Sequence, residues 1–315
     1  MSERPFVLSI VIPVYNGAES VPALLEHLAA LEFGPFEIVL VNDGSPDNSL
    51  QVCRDLAARL DVPITVVDLA RNFGEHNAVM AGLRLARGDY IITMDDDLQN
   101  PPEEVERLWR YASENQFDVV YTYYAAKQHS PWRNFGSWLT NYLASYLIGK
   151  PRDLYLSSFR CMAAFVAEHI VRHAGPYPYV DGLIIQTTQR IGKLQVAHLP
   201  RAAGRSNYTL RRLIRLFLSM FLNFSVIPLR IASLVGGLTA VLGIIGLVMV
   251  IVEGLNGGQP TGWPSLMAVI LTISGVQLIV LGLIGEYLGR AFLTLNQKPQ
   301  SIVRTIERND AAKLD

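Results

Sequence analysis

Apolar runs alternate with amphipathic segments along the N-terminal part of the chain. The runs are short, rich in β-branched residues and nearly free of charge, which is typical of strands buried on both faces of a parallel sheet. Between them, leucines recur at helical spacing, as at Leu24, Leu28 and Leu31. This alternation predicts an α/β domain with a parallel, doubly wound sheet. The predicted strands are Val7–Ile12, Phe36–Val41, Val62–Val67, Tyr90–Met94 and Phe117–Tyr121.

Polar residues follow each of the first four predicted strands. Because the carboxyl ends of parallel strands meet at one edge of a sheet, these residues should line a single ligand crevice. Each cluster alone could be turn chemistry, but four on the same edge favour a site. The clusters are Tyr15-Asn16, Asp43, Arg71-Asn72 and Asp95-Asp96-Asp97.

The acidic triplet at Asp95-Asp96-Asp97 carries the most specific chemistry. Carboxylates at the end of a buried strand are costly unless a positive charge meets them. Mg²⁺ or Mn²⁺ bound to a nucleotide diphosphate would suit these hard oxygen ligands. The alternative is a solvated acidic turn before a helix that Asn100 caps and Pro101-Pro102 opens.

The last third of the chain contains two long uncharged runs, Ile231–Val252 and Ser265–Gly285. Each is long enough to cross a bilayer core, although a buried hairpin of a soluble protein is the alternative. The linker Glu253–Pro264 has no Lys or Arg, whereas arginines precede the first run and follow the second. The positive-inside rule therefore predicts a multi-pass membrane protein with both termini in the cytoplasm and a short loop outside.

Two further segments have amphipathic patterns. Aromatic residues recur at helical spacing from Trp132 to Leu147, which predicts a helix packed on the sheet or lying at a membrane surface. Thr209–Pro228 combines an apolar stripe with arginines, as in interfacial helices that bind anionic lipid headgroups. The expected organisation is an α/β domain at 1–200, a basic juxtamembrane region at 201–230, two membrane helices at 231–290 and a cytoplasmic tail at 291–315.

The net charge, the number of cysteines and the absence of one motif limit the possible functions and the cellular compartment. The net charge of −1 gives no indication of nucleic acid, and we expect none as a partner. Cys53 and Cys161 do not form a disulfide framework, which favours a reducing, cytosol-facing compartment. No Gly-x-Gly-x-x-Gly motif follows the first strand, which excludes a dinucleotide-dependent dehydrogenase.

Taken together, the motifs resemble those of membrane-anchored family 2 glycosyltransferases that use polyprenyl phosphate as acceptor. The resemblance covers nearly the whole chain, and the order and spacing of its motifs are more specific than any single one. The motifs are Ile12–Asn16, Val41–Ser45, Arg71–Gly74, Asp95–Pro102, Arg201–Tyr208 and Gly285–Arg290. The resemblance implies a GT-A fold, a nucleotide-sugar donor with UDP as the expected nucleotide, and undecaprenyl phosphate as the expected acceptor. It also implies inversion at the anomeric carbon, a lipid-linked sugar for the cell envelope, and a possible tetramer.

The resemblance also implies roles for individual residues. Asp95 and Asp97 would be catalytic and would bind Mg²⁺ or Mn²⁺. Asp96 also belongs to the nucleotide site, although alternation along an extended segment would turn its side chain away from the other two. The remaining nucleotide-binding residues would be Pro13, Tyr15, Asn16, Asp43, Arg71, Asn72 and Gly74. The acceptor phosphate would meet Arg160, Arg201, Arg205, Ser206 and Tyr208.

The chain departs from the family pattern at two positions. Ser158 stands where many members carry Asp, and Asn207 stands where Lys is usual. Asp181 could replace the missing carboxylate as a catalytic group, or it could be a turn or helix-cap residue; Asp153 is the other candidate. Arg205 could supply the missing positive charge.

Two other functions fit the same fold. A processive polysaccharide synthase would carry a Gln-x-x-Arg-Trp motif, but the stretch from Gln186 to Arg190 lacks the Trp and only two spans are predicted. A catalytically weak membrane scaffold is the other alternative, and Ser158 is its only support.

Overall fold

The computed structural model describes residues 4–124, 154–197, 227–255, 262–296 and 298–309. Contacts divide the chain into two units, Met1–Thr209 with Gln297–Asp315, and Leu210–Asn296. The predicted amphipathic helix at 132–147 lies outside the described residues, as does 209–228 except for its last two positions. Also outside are Asp153, Arg201, Arg205, Ser206, Asn207 and Tyr208.

The first unit is a mixed sheet of eight strands in the order β7-β5-β6-β4-β1-β2-β3-β8. Its strands are β1 Phe6–Val14, β2 Phe36–Asn42, β3 Ile64–Leu69, β4 Gly88–Thr93, β5 Val119–Tyr124, β6 Arg160–Ala163, β7 Ile191–Val196 and β8 Val303–Asn309. Its helices are α1 Val21–Ala29, α2 Ser49–Arg59, α3 Glu75–Leu83, α4 Glu103–Glu114, α5 Ala164–Ile170 and α6 Val180–Thr187.

The predicted parallel core is confirmed. Strand β1 pairs in parallel with both β2 and β4, and β2 pairs in parallel with β3. The strand order therefore reverses at β1, where open α/β sheets place their ligand crevice. The loops after β1 and β4 meet at this point.

The sequence patterns did not predict three strands. Strand β6 pairs antiparallel between β4 and β5, β7 pairs in parallel with β5, and β8 pairs antiparallel with β3. Strand β6 has only four residues, too few for a recognisable period. Most residues of strand β8 are exposed, and three of its seven are charged, as suits an edge strand.

Helices cover both faces of the sheet. Leu24 and Leu28 of α1, Leu56 of α2 and Leu108 of α4 are buried in one core cluster with Ile10 of β1. Helix α3 lies on the opposite face, where a Cβ at Gly82 would come within 2.4 Å of Val11 Cγ1. Glycine at this position therefore permits the close approach of α3 to β1.

Asn100 does not cap the helix that follows the acidic triplet, so that prediction is wrong. Helix α4 begins at Glu103 after Pro102, with no side-chain cap. Asn100 is instead buried, and its Oδ1 accepts a hydrogen bond of 2.8 Å from the Tyr124 hydroxyl. The Asn100 side chain therefore bonds to a distant residue of β5 and not to the N-terminus of the next helix.

The second unit contains two long helices, α7 Ile227–Leu255 and α8 Trp263–Leu295. The predicted runs Ile231–Val252 and Ser265–Gly285 lie within them. Among the described residues, one helical segment, Thr272–Leu295, is long and apolar enough to cross a membrane. A shorter apolar segment, Ala232–Gly246, belongs to the other helix.

The buried carboxylate of Glu37 allows a test of how much its polar contacts stabilise the sheet. Glu37 is fully buried and accepts hydrogen bonds from Ser9 Oγ at 2.7 Å and Arg87 Nε at 2.9 Å. Replacement of Arg87 by Met should leave an uncompensated buried charge and destabilise the chain by on the order of 3 kcal/mol. Chemical denaturation of the detergent-solubilised chain measures this loss.

Arg59→Met is the matched control, because Arg59 pairs with Glu26 at the exposed surface. It should change the denaturation midpoint much less than Arg87→Met. Equal effects of the two substitutions would contradict the assignment of Glu37 as a buried charge that depends on Arg87.

Candidate functional site

The loops after β1 and β2 are joined by backbone-to-hydroxyl hydrogen bonds. The Asn16 N–H donates to Ser45 Oγ at 3.2 Å, and the Gly17 N–H donates to Ser49 Oγ at 2.9 Å. Asn16 has a positive φ of 57°, which turns the chain sharply after β1. Tyr15 remains 48% exposed and offers an aromatic surface at the rim of the crevice.

Asp43 fixes the loop that follows β3. Its Oδ1 accepts from the Phe73 N–H at 2.7 Å, and its Oδ2 accepts from the Gly74 N–H at 2.8 Å. Burial raises the pKa of Asp43, and these two hydrogen bonds oppose the rise. Each carboxylate oxygen keeps a further lone pair for a ligand donor.

The backbone after β2 approaches this same loop closely. Gly44 has a φ of +61°, and a Cβ there would come within 2.4 Å of the Arg71 carbonyl carbon. The side chains of Arg71 and Asn72 are exposed, and the Arg71 guanidinium lies 4.7 Å from the centre of the Phe73 ring. Gly74, with a φ of +94°, ends the loop and starts α3.

The three carboxylates after β4 have three different neighbours. Asp95 Oδ2 accepts a hydrogen bond of 2.6 Å from Ser158 Oγ. Asp96 lies within hydrogen-bonding reach of the Tyr15 N–H, and a Cβ at Gly17 would come within 2.3 Å of its Oδ2. Asp97 Oδ1 accepts from the backbone N–H two residues later, at 3.2 Å. The acidic triplet is therefore distributed between the loops of β1, β4 and β6.

Leu98 holds an unusual backbone conformation directly after the triplet. Its φ is 59°, a region that bulky side chains rarely adopt, while its side chain packs against the core. Such outliers cost of order 1–3 kcal/mol and persist where surrounding contacts determine them. Here the turn redirects the chain between Asp97 and α4.

Negative charge accumulates at this edge of the sheet. Burial, together with the charges of Asp95 and Asp97, raises the pKa of Asp96 to about 7. Within the described part of the chain, Asp96 Oδ2 has no hydrogen-bond partner although it is buried. A bound cation would offset this concentration of charge.

The carboxylates suit a metal ion that binds together with a phosphate ligand. They do not form, with the other described residues, a site in which the protein alone supplies three or more ligands. The described residues contain no group of three or more His, Cys, Asp or Glu side chains close enough to hold an ion. Mg²⁺ in nucleotide sites commonly takes one or two carboxylates and completes its shell with phosphate oxygens and water. Asp95 and Asp97 are sufficient for such a site.

Ser158 is held in place by hydroxyl groups at the ends of neighbouring strands. Thr93 Oγ1 donates to the Ser158 carbonyl oxygen at 2.6 Å, and Thr122 Oγ1 donates to the next carbonyl oxygen, of Phe159, at 2.6 Å. In the sequence, Ser158 marks the place where many family members carry Asp. The structure instead shows a hydroxyl donor to Asp95, and only the pairing of β4 with β6 reveals it.

Arg160 and Asp181 form an ion pair with each other in a buried position. The Tyr121 hydroxyl donates to the same oxygen of Asp181 at 2.8 Å. Asp181 lies in the first turn of α6, as a helix-start residue would. Both side chains are nearly fully buried, and the roles of Arg160 at the acceptor phosphate and of Asp181 in catalysis stay predictions.

Comparison with known proteins identifies the family. Residues 9–168, which contain all four crevice loops, match the model "Glycosyl transferase family 2". The chain belongs to glycosyltransferase family 2. Residues 227–291 match the model "GtrB C-terminal hairpin", which covers α7 and most of α8. This family 2 chain therefore combines a glycosyltransferase domain with a C-terminal helical hairpin.

Curated relatives match this family 2 chain over nearly its whole length. It is 37% identical over 308 residues to the undecaprenyl-phosphate 4-deoxy-4-formamido-L-arabinose transferase of Pseudomonas aeruginosa, covering 96% of this chain and 91% of the relative. It is 36% identical over 305 residues to the transferase of the same name from Serratia proteamaculans, covering 95% and 93%.

A solved structure supports the fold of the first unit. Glucosyl-3-phosphoglycerate synthase from Mycobacterium tuberculosis, crystallised with Mn²⁺, UDP-glucose and phosphoglyceric acid, aligns with a TM-score of 0.52 and 16% identity. The alignment covers 69% of this chain and 78% of that one. It confirms the predicted GT-A architecture of this family 2 domain.

Removing the Ser158 hydroxyl tests its support of Asp95. Ser158→Ala should weaken Mn²⁺ binding in the presence of UDP by about ten- to hundredfold, because a hydrogen bond to a charged group contributes roughly 1.5–3 kcal/mol. Ser158→Thr keeps the donor and should retain most of the affinity. Electron paramagnetic resonance of free and bound Mn²⁺ gives the affinities.

Ser113→Ala removes an exposed hydroxyl on α4 and serves as the control. Unchanged Mn²⁺ affinity in Ser158→Ala would show that Asp95 does not depend on this hydrogen bond.

The two backbone contacts of Asp43 can be tested by Asp43→Asn. The substitution keeps the shape but replaces one acceptor oxygen by an NH₂ group, which would face a backbone N–H. We expect faster hydrogen exchange in segment 71–74 and weaker UDP binding, measured by mass spectrometry and calorimetry. Asp55→Asn is the control, because Asp55 is exposed on α2 and accepts a hydrogen bond from Gln51 one helical turn away. Equal exchange in the two variants would refute the proposed anchoring.

Proposed function

We propose that this chain transfers a sugar from UDP-sugar to undecaprenyl phosphate at the cytoplasmic face of the bacterial inner membrane. The product would be a lipid-linked monosaccharide for modification of a cell-envelope glycan or lipid. The observation that carries the proposal is the similarity to undecaprenyl-phosphate sugar transferases over 96% of the chain, which includes the crevice and the hairpin together.

The nucleotide part of the donor fits the loops after β1, β2 and β3. Tyr15 would stack against the base, with Pro13 and Asn16 beside it, and Asp43 would accept from the base N–H. Arg71, Asn72 and Gly74 would approach the ribose and the diphosphate. The hydrogen bonds from Phe73 and Gly74 to Asp43 support this assignment, because they hold the carboxylate and the loop together before the donor arrives.

The diphosphate would lie beside the acidic triplet. Asp95 and Asp97 would hold Mg²⁺ or Mn²⁺, and Asp96 would stay beneath them against the β1 loop. When bound, the ion would neutralise the charge that develops on the diphosphate. The raised pKa of Asp96 supports a cation at this place, because it reflects burial of this carboxyl group together with the negative charges of Asp95 and Asp97.

The reaction we propose is a single in-line displacement. An oxygen of the acceptor phosphate attacks the anomeric carbon, and the bond from that carbon to the diphosphate breaks with its electron pair leaving on UDP. The configuration at the anomeric carbon inverts. A phosphate monoester has a second pKa of about 6 and is largely ionised at neutral pH, so no general base is required. Ser158, a neutral side chain beside Asp95, is compatible with this chemistry.

The acceptor would be held by basic residues close to the membrane. We assign its phosphate to Arg201, Arg205, Ser206 and Tyr208, because arginine offers paired donors to phosphate oxygens. The hairpin of α7 and α8 would anchor the domain with both termini in the cytoplasm. Assembly into a tetramer remains part of the proposal.

A transfer assay tests the proposed reaction directly. Purified full-length chain, undecaprenyl phosphate, Mn²⁺ or Mg²⁺ and a panel of labelled UDP-sugars should give a labelled lipid. Asp97→Asn should lower turnover by at least about a hundredfold, because charge neutralisation at the diphosphate supplies several kcal/mol. Asp55→Asn, an exposed carboxylate on α2, should leave turnover unchanged.

The products distinguish the alternative functions. A polymer longer than one sugar would indicate a processive synthase instead. Nucleotide binding by calorimetry without turnover of any donor in the panel would indicate a scaffold. Full activity of Asp97→Asn would refute the metal assignment while leaving the reaction class intact.

A further inference from the structure

A second pocket lies on the α3 face of the sheet, close to the edge formed by β8. Its volume is about 420 Å³, and it is open to solvent. The end of α3, the loop after α5 and the residues leading into β8 enclose it. Its apolar lining consists of Ala81, Leu85, Ala174, Val303 and Ile306. None of these residues belongs to the nucleotide crevice.

Among the described residues that line this pocket, Arg84 is the one cation. Gln300 is 6% exposed, and its Nε2 donates to the carbonyl oxygens of His173 at 2.5 Å and Gly175 at 2.8 Å. Both amide protons are therefore used, so its Oε1 must face the opposite way. There it accepts from Arg84 Nη2 at 2.5 Å. Gln300 thus orients the guanidinium without neutralising it.

The charge of Arg84 has no acidic partner within the described part of the chain. No carboxylate there forms an ion pair with it, and desolvation by the surrounding protein lowers its pKa. The other donors of the guanidinium are available to a ligand. Arginine presents these donors in a planar fork that matches the oxygens of a phosphate group.

The other lining residues favour an amphiphilic anion over a small soluble one. Val303 and Ile306 are 40% and 47% exposed on β8, so apolar surface lies directly beside the cation. Arg308 follows Ile306 by two residues and lies on the same face of the strand, and Lys298 precedes Gln300 by two residues. Gln300 itself follows the end of α8 at Leu295 within a few residues.

We propose that this pocket binds the headgroup of an anionic membrane phospholipid. Arg84 would pair with the phosphate, and Val303 and Ile306 would contact the glycerol and the first acyl carbons. Apolar contacts and attraction of basic residues to anionic lipids would add to each other. The site does not depend on which sugar the crevice transfers.

Lipid retention by the full chain tests the proposal. The chain is placed in phosphatidylcholine nanodiscs that contain a small fraction of phosphatidylglycerol, and native mass spectrometry counts the phosphatidylglycerol molecules retained. Arg84→Gln should reduce retention at low phosphatidylglycerol by about tenfold, because the charge-assisted contact with the phosphate is lost. Arg84→Lys should lose less. Ala174→Trp, which fills the pocket from an exposed loop, should reduce retention without a change of charge.

Arg172→Gln is the matched control, because Arg172 is exposed nearby and does not line the pocket. Equal loss of lipid in Arg172→Gln and Arg84→Gln would mean general surface attraction and would overturn the proposal. Unchanged retention in Arg84→Gln would do the same. UDP binding by each variant verifies that the first unit is folded.

Soluble competitors separate a lipid from a free phosphate compound. Dihexanoyl-phosphatidylglycerol should displace the retained lipid at much lower concentration than glycerol 3-phosphate or inorganic phosphate. Equal potency of the three would show that the apolar wall contributes nothing, and the lipid assignment would fail. A change in oligomer mass in Arg84→Gln, with lipid count unchanged, would assign the pocket to contact between copies of the chain and also overturn the proposal.

Discussion

Repulsion among the carboxylates of Asp95, Asp96 and Asp97 is the constraint around which the crevice is arranged. The Ser158 hydroxyl donates to Asp95, the backbone N–H of Gln99 donates to Asp97, and Asp96 lies against the loop after β1. These supports come from three separate segments, so the loops after β1 and β4 and the start of β6 must be in place together. Gly17 is part of the same constraint, because any side chain there would collide with Asp96. Carboxyl groups that would destabilise an ordinary strand end are thus held in fixed positions beside the predicted donor site.

The crevice was predictable because its signals are local. A buried parallel strand appears in the sequence as an apolar run, so the position at which the strand ends can be located within a few residues. Topology then brings the ends of neighbouring strands to one edge, whatever the loops between them contain. Tyr15, Asp43 and Asp95 could therefore be placed together from the sequence. The Asp43 contacts with the loop after β3 could not, since they join main-chain groups that carry no sequence signature.

The remaining features depend on partners distant in sequence. Asn is a favoured N-cap residue and Asn100 precedes a helix, but its side chain accepts a hydrogen bond from Tyr124 of β5 instead. Ser158 meets Asp95 only because β6 runs antiparallel beside β4. Arg160 and Asp181 look like separate functional candidates in the sequence, and the fold joins them in one ion pair. In each case tertiary contact overrides a local preference, and no period or motif encodes that contact.

Strand β8 has a consequence for the order in which the protein is made. It completes the sheet beside β3, yet both hairpin helices precede it in the chain. The ribosome therefore finishes α7 and α8 before the residues that cover β3 exist. During that interval β3 presents an open edge, the kind of surface on which strands of other chains can pair. Docking of β8 closes this edge as the last strand-pairing step of synthesis, so the glycosyltransferase domain reaches its complete sheet only after the hairpin has been translated.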